Sequence, residues 1–405
     1  MLDPLTIERM AHVSSDAPIV VALSGGGDSV ALLRLMAARF GANNLRALIV
    51  DHALRDGSAG DAERAQAFAG DAGVSAEILT VSWPGGVKRN QAAARTARYE
   101  ILCGRAREMG ARVIAVAHTA DDQIETVLMR AGAGSSWRGL AGMAAFAPAP
   151  VWPAGRNLWL ARPLLAQRRE HLRDYLQERG GVWIDDPANA NAVFERVRVR
   201  GRLAALEASG ADVMRLAQLA ARIRPYVDRL DAEAAALIAQ AAAFDGPAIF
   251  IDRAVWSAPD HVRRRALSAL ICGASGAARE PATDAIERLD DKMQSASFPG
   301  ASLGGAIIVA EHTHFRLRRD PGALAGRGDG VLGVSPLPLE PHRTLVWDGR
   351  LELCVAEPGW CVTSAAEGAE LSRCGEKCAL AQLTPPDRAA WLLRQRVTHL
   401  LGQHI

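Results

Sequence analysis

Residues 19–29, IVVALSGGGDS, decide the fold. Residues 19–23 are a short β-branched apolar run of the kind that forms a buried strand. Residues 30–40, which follow at once, have the length and apolar spacing of an amphipathic helix. A strand, a glycine turn and a helix in direct succession build an anion cradle. Glycine lets the backbone approach a phosphate closely, exposed amides and the helix N-terminus favour negative charge, and serine hydroxyls add donors. The cradle comprises Ser24, Gly25, Gly26, Gly27, Asp28 and Ser29. No GK[ST] ending follows, which excludes a Walker A loop, and the glycine spacing is not a dinucleotide fingerprint. The bland alternative is a glycine turn that merely starts a helix, with Asp28 in its favoured first turn.

Outward from the cradle, residues 47–50, 77–81 and 113–117 also read as strands. Residues 61–72, 91–109 and 121–130 read as the crossover helices between them. That alternation predicts an α/β fold with a doubly wound parallel sheet, whose ligands bind beyond the C-terminal strand ends. Two further segments reach that rim. VDHALR (residues 50–55) puts Asp51 and His52 there, and an acid after the second strand can meet a ribose. AHTADDQIET (residues 117–126) puts His118 at a strand end and Asp122 and Glu125 on one face of the next helix. Thr119 and Asp122 also have capping-box spacing, so a purely structural role for the acid stands beside the catalytic one.

Past residue 130 the chain passes through glycine- and proline-rich sequence, then becomes Ala-rich and helical from about residue 203. The expected organisation is a catalytic domain over residues 1–205, a helical domain over 206–330 and a small α+β or β-rich module over 338–405. SPLPLEP (residues 335–341) is expected to link the last two. With 405 residues and 49% hydrophobic content, more than one core is expected. No apolar run is long enough to span a bilayer, and the start MLDPLTIERM is too polar for a secretory signal, which predicts a cytoplasmic protein with no membrane association.

The six cysteines are sparse and irregular, which does not suggest a disulfide framework. CGEKC (residues 374–378) leaves half of a zinc site and small buried hydrophobes as alternatives. A net charge of +2 does not announce nucleic-acid binding. Nearly all the basic residues are arginine, whose planar fork suits phosphate, although a GC-rich genome gives the same bias.

SGGxDS after a first strand resembles the PP-loop of the ATP pyrophosphatases, the adenine nucleotide α-hydrolase-like enzymes. Taken with VDHALR, NQAAARTARYEIL (residues 90–102), AHTADDQIETVLMR, GLAGM (residues 139–143), RPLL (residues 162–165) and WIDDPAN (residues 183–189), the order of blocks is similar to that of the tRNA(Ile)-lysidine synthetase family. The resemblance covers roughly residues 18–202. It implies an ATP-dependent ligase that adenylates the wobble cytidine of a CAU-anticodon isoleucine tRNA, after which the ε-amine of free L-lysine displaces AMP. It further implies that the cradle and Asp51 hold ATP, that Asp28 holds Mg²⁺, and that His118, Asp122 and Glu125 surround the lysine amine. Bottom-up chemistry agrees, because a cationic amine needs anionic partners and must lose a proton before attack, its free pKa being about 10.4.

Two departures stand out. The family usually carries R-N-x-x-R after the acidic stretch, whereas here ERVRVRGR has Val197 where Asn is expected. Arg196, Arg198, Arg200 and Arg202 nevertheless form a concentrated phosphate-seeking cluster, expected to bind the tRNA. In AGAGSSWRG (residues 131–139), Trp137 and Arg138 can either contact RNA or pack. The competing readings are a PP-loop tRNA cytidine thiolase, a glutamine-dependent amidating synthetase and a non-catalytic RNA-binding relative. The first 200 residues hold only Cys103, which opposes the thiolase, and no amidotransferase-like nucleophile segment is recognisable. No obligate protein partner is indicated.

Overall fold

The computed structural model describes residues 1–83, 90–185, 195–326, 337–365, 368–373, 376–379, 386–403 and 405. The chain folds as two compact units, Met1–Val227 and Asp228–Ile405.

The first unit contains α1 (Pro4–Val13), β1 (Ile19–Ala22), α2 (Gly27–Phe40), β2 (Leu45–Asp51), α3 (Ser58–Asp71), β3 (Ala76–Thr80), α4 (Gln91–Glu108) and β4 (Val113–Ala115). It continues with α5 (Ala120–Gly132), α6 (Trp137–Leu140), β5 (Phe146–Pro148), β6 (Trp159–Ala161), α7 (Arg169–Gln177), α8 (Glu195–Ala208) and the start of α9 (Met214–Ala241). The sheet runs β3-β2-β1-β4-β6-β5, parallel throughout except that β5 pairs antiparallel with β6. All four residues of β1 are buried, as a central strand covered on both faces requires. One face packs Leu33 and Met36 of α2 with Leu172 and Leu176 of α7, and the other packs Tyr99, Leu102 and Cys103 of α4. The parallel expectation holds for β1, β2, β3, β4 and β6. The strand order reverses at β1, between β2 and β4, and a sheet of this kind opens a crevice at such a switch point. Ile19 is level with both Leu45 and Val113, so the segments leaving β1 and β4 emerge side by side.

The second unit contains β7 (Ala242–Asp245), β8 (Ala248–Asp252), α10 (Asp260–Ser275), α11 (Thr283–Met293), β9 (Gly300–Leu303), β10 (Ala306–Ala310), β11 (His314–Arg319) and α12 (Pro321–Ala325). β12 (Leu337–Pro338), β13 (Leu345–Trp347), β14 (Leu351–Leu353), β15 (Cys361–Ala365), β16 (Gly368–Arg373), β17 (Glu376–Ala379) and α13 (Pro386–Leu401) follow. The stretch expected to be a helical domain therefore also holds an antiparallel sheet, β7-β8-β11-β10-β9. Period-two alternation explains it: in HFRLRR, Phe315 and Leu317 are buried while Arg316 and Arg318 take the other face. Three arginines in six residues mask that alternation in the sequence. Leu393 and Val397 of α13 join Leu267 and Leu270 of α10 in the core over this sheet. A smaller core around Trp347, Leu353, Val362 and Leu371 belongs to the last strands. Leu337 and Pro338 of the expected linker pair with Val362 and Cys361, and the segment's first two residues lie outside the described ones.

Among the described residues, no helix is long and apolar enough to cross a membrane. Cys103, Cys272, Cys354 and Cys361 are free thiols. Cys374 and the side chain of Cys378 lie outside what is described.

Candidate active site

The glycine loop is held in shape by its own hydroxyls. Ser29 Oγ donates to the Gly26 carbonyl at 2.8 Å and receives the Ser24 amide at 3.2 Å, so the turn closes onto the first turn of α2. Gly25 has φ +81°, and a Cβ there would stand 2.5 Å from Ile184 Cδ1. The Ile184 amide donates to the Gly25 carbonyl at 2.9 Å. Trp183 and Ile184 therefore lie directly on the loop, and the positive φ at Gly25 favours glycine there.

Beside it, α5 opens with a capping box. Asp122 Oδ2 accepts from the Thr119 amide at 2.9 Å, while the Asp122 amide donates to Thr119 Oγ1 at 3.4 Å. The capping interpretation of this acid is correct, yet it uses one carboxylate oxygen only. Asp122 Oδ1 turns toward the cavity and accepts from Arg169 Nη2 at 3.2 Å. Arg169 Nε donates to Asp28 Oδ2 at 2.9 Å, and its amide donates to Asp121 Oδ2 at 2.7 Å. One guanidinium at the start of α7 thus joins the first turns of α2 and α5.

These groups share a cavity of about 750 Å³ with the glycine loop, His52, His118 and the arginines 95, 98, 173, 196 and 200. Burial raises the Asp28 carboxyl above its ordinary value, and Arg169 offsets that only in part. Burial pulls Asp122 the same way, but Arg169 and the Thr119 hydrogen bonds outweigh it and hold the carboxyl below the usual range. His118 is held far below its ordinary value by burial first and by Arg162 second, so the imidazole is neutral. The site therefore presents fixed carboxylates and an uncharged imidazole inside a cationic rim, an arrangement suited to binding polyphosphate and an amine together.

A family profile described as the PP-loop domain matches residues 5–207. The tRNA(Ile)-lysidine synthase of Hyphomonas neptunium is 37% identical over 320 residues, covering 76% of this chain and 83% of that protein. The tRNA(Ile)-lysidine synthase of Caulobacter vibrioides is 37% identical over 362 residues, covering 88% of this chain and 79% of that protein. The chain belongs to the tRNA(Ile)-lysidine synthase family. Among solved structures, the U34-tRNA thiolase of Methanococcus maripaludis is similar at 17% identity and a TM-score of 0.44, covering 54% of this chain and 77% of that one.

In this member of the lysidine synthase family, Ser24, Gly26, Gly27, Asp28, Ser29, His118, Asp122, Arg196 and Arg200 all line the cavity. Asp51 takes a different place. It is 7% exposed, accepts from the Ala53 amide at 2.9 Å at its own strand end, and leaves the lining to His52. Glu125 is 1% exposed and lies behind Arg200, whose Nε reaches its Oε1 at 2.6 Å. Helical spacing divides the arginine cluster. Val199 and Leu203 pack with Ile124 of α5, Arg196 and Arg200 point to the cavity, and Arg198 and Arg202 are exposed. Gly142 in GLAGM has φ +61°, and a Cβ there would meet the Gln123 carboxamide at 2.6 Å. Gln123 in turn holds the Met143 amide and carbonyl at 2.7 and 3.0 Å. Trp137 is 47% exposed.

Sequence reading missed Arg169, Arg173, Arg95 and Arg98. The only available signal was their i, i+4 and i, i+3 spacing, which an ordinary solvated helix face shares. Cys103, the one thiol in the catalytic segment, is buried and pushed up to about 12, which makes it an inert packing residue. Among the described residues no group of three His, Cys, Asp or Glu side chains could hold a metal by itself.

Proposed function

We propose that this chain makes lysidine on the isoleucine tRNA with a CAU anticodon, using ATP, Mg²⁺ and free L-lysine in the cytoplasm. The observation that carries the reading is the convergence of the glycine loop, Asp28, Asp122 and neutral His118 on one cavity in a lysidine synthase family chain.

The loop amides and the start of α2 hold the β and γ phosphates, leaving the α phosphorus open to the carbonyl oxygen of the wobble cytidine. That attack releases pyrophosphate and leaves the base adenylated. The lysine amine then attacks the activated carbon, and AMP departs with the carbonyl oxygen. Asp28 supplies one hard oxygen ligand beside the phosphates, which fits Mg²⁺, a cation usually bound by one or two carboxylates and substrate phosphates. When bound, the ion neutralises phosphate charge as pyrophosphate leaves. Asp122 supplies negative charge for the incoming ammonium, and Glu125, paired with Arg200, acts on the amine only through that arginine. A neutral His118 adds no competing positive charge beside it.

Arg196 and Arg200 are read as tRNA contacts at the cavity mouth, and Arg198 and Arg202 as contacts along the stem. Replacing Arg198 and Arg202 with Ala should weaken tRNA binding and flatten its salt dependence by about one unit per lost phosphate contact. ATP affinity measured without RNA should not move.

The deciding experiment incubates isoleucine tRNA with the protein, ATP, Mg²⁺ and lysine, then weighs its nucleosides. A cytidine heavier by lysine less water is expected. Unmodified cytidine, with pyrophosphate released all the same, would move the chain to another PP-loop chemistry.

A further inference from the structure

We propose that Arg169 is a shared counter-ion that couples the two halves of the site, so that a metal–nucleotide at Asp28 opens Asp122 to the substrate amine. The inference rests on the assignment of Asp28 to the metal–nucleotide and of Asp122 to lysine.

Three observations carry it. Asp122 has one oxygen to offer a ligand, because Oδ2 is taken by the Thr119 amide and hydroxyl at 2.9 and 3.1 Å. The other, Oδ1, is the oxygen that Arg169 Nη2 holds at 3.2 Å. The same guanidinium holds Asp28 Oδ2 at 2.9 Å through Nε, and its side chain retains 24% exposure on the cavity wall. An ammonium arriving at Asp122 Oδ1 competes with Arg169 for that oxygen. A dication at Asp28 repels the same guanidinium, and the phosphates that arrive with it offer Arg169 a new partner. Whichever cation binds first does the work of moving Arg169, and the second meets an open carboxylate. Coupling of this kind is reciprocal: nucleotide tightens lysine and lysine tightens nucleotide by the same factor. It also favours assembling the amine only when the activating nucleotide is present.

The test is calorimetric titration of L-lysine into the full chain, with and without Mg²⁺ and α,β-methylene ATP, which cannot release pyrophosphate. In the wild type the nucleotide should tighten lysine on the order of tenfold. Arg169→Met should bind lysine without nucleotide more tightly than the wild type does, and the nucleotide should add nothing. Arg169→Lys cannot fork to both acids and should reduce the factor, which keeps the test open if the Met variant fails to fold. Arg168→Ala removes the neighbouring arginine, which pairs with Asp121 and Glu207, and should leave the factor intact. A tenfold effect surviving in folded Arg169→Met, or an equal effect of Arg168→Ala, overturns the inference. Wild-type lysine binding that ignores nucleotide overturns it alone, whereas no lysine binding under any condition overturns the substrate assignment as well.

Discussion

Arg169 and Arg265 are the same kind of residue set between the same kind of partners, yet they do opposite work. In the second unit, Arg265 bonds Asp231 at 2.5 Å, Glu280 at 3.1 Å and the Leu400 carbonyl at 3.0 Å, with its side chain 3% exposed. Ser268 completes the arrangement by donating to Glu280 at 3.1 Å. Arg265 itself is enclosed, while Asp231 and Glu280 keep 15% and 31% side-chain exposure. Arg169 bridges Asp28 and Asp122 on a cavity wall, with the opposed carboxylates drawn out of water but left within reach of a ligand. A sealed ion network fixes a fold, because breaking it strands buried charge. An open one stores unsatisfied charge for a ligand to complete.

The largest expected contrast lies in activity. Asp28→Ala should lower pyrophosphate release on the order of 10³-fold, since a metal ligand beside a departing anion contributes several kcal/mol. The fold, followed by circular dichroism, should be retained. Turnover near the wild-type level would place the metal elsewhere.

Next in size, Arg265→Met should lose about 3 kcal/mol in guanidinium denaturation by leaving Asp231 and Glu280 without their central cation, with ATP affinity unchanged in the folded protein. A variant as stable as the wild type would erase the contrast between the two arginines.

The smallest effect has the opposite sign. Burial holds the Asp28 carboxyl above 3.8, so the fold disfavours its ionised form. A raised folded pKa means that the group's contribution to stability is fully present below 3.8 and is lost as pH rises through the folded value. Asp28→Asn cannot ionise. It should therefore be more stable than the wild type at neutral pH, with the difference closing as pH falls through 3.8. A destabilised Asp28→Asn at neutral pH would make Asp28 a structural acid like Asp231.

The sequence by itself determined the α/β fold, the cradle Ser24 to Ser29 and the rim residues His118 and Asp122. Each is announced locally: an apolar run sets a strand, glycines set a turn, and a helix start fixes which residues share a face. Only the tertiary structure decided what those residues touch. Arg169 lies 141 positions from Asp28 along the chain, and no local pattern distinguishes it from Arg168, which pairs instead with Asp121 and Glu207. Helix rotation relative to the packed Val199 and Leu203 sorted four arginines into two that line the cavity and two that do not. Asp51 accepts the Ala53 amide at its own strand end, a contact that only the folded turn shows. A sheet fixes its strand ends through hydrogen bonds that sequence period reveals, whereas side-chain charge pairs depend on distances between elements that no single element encodes.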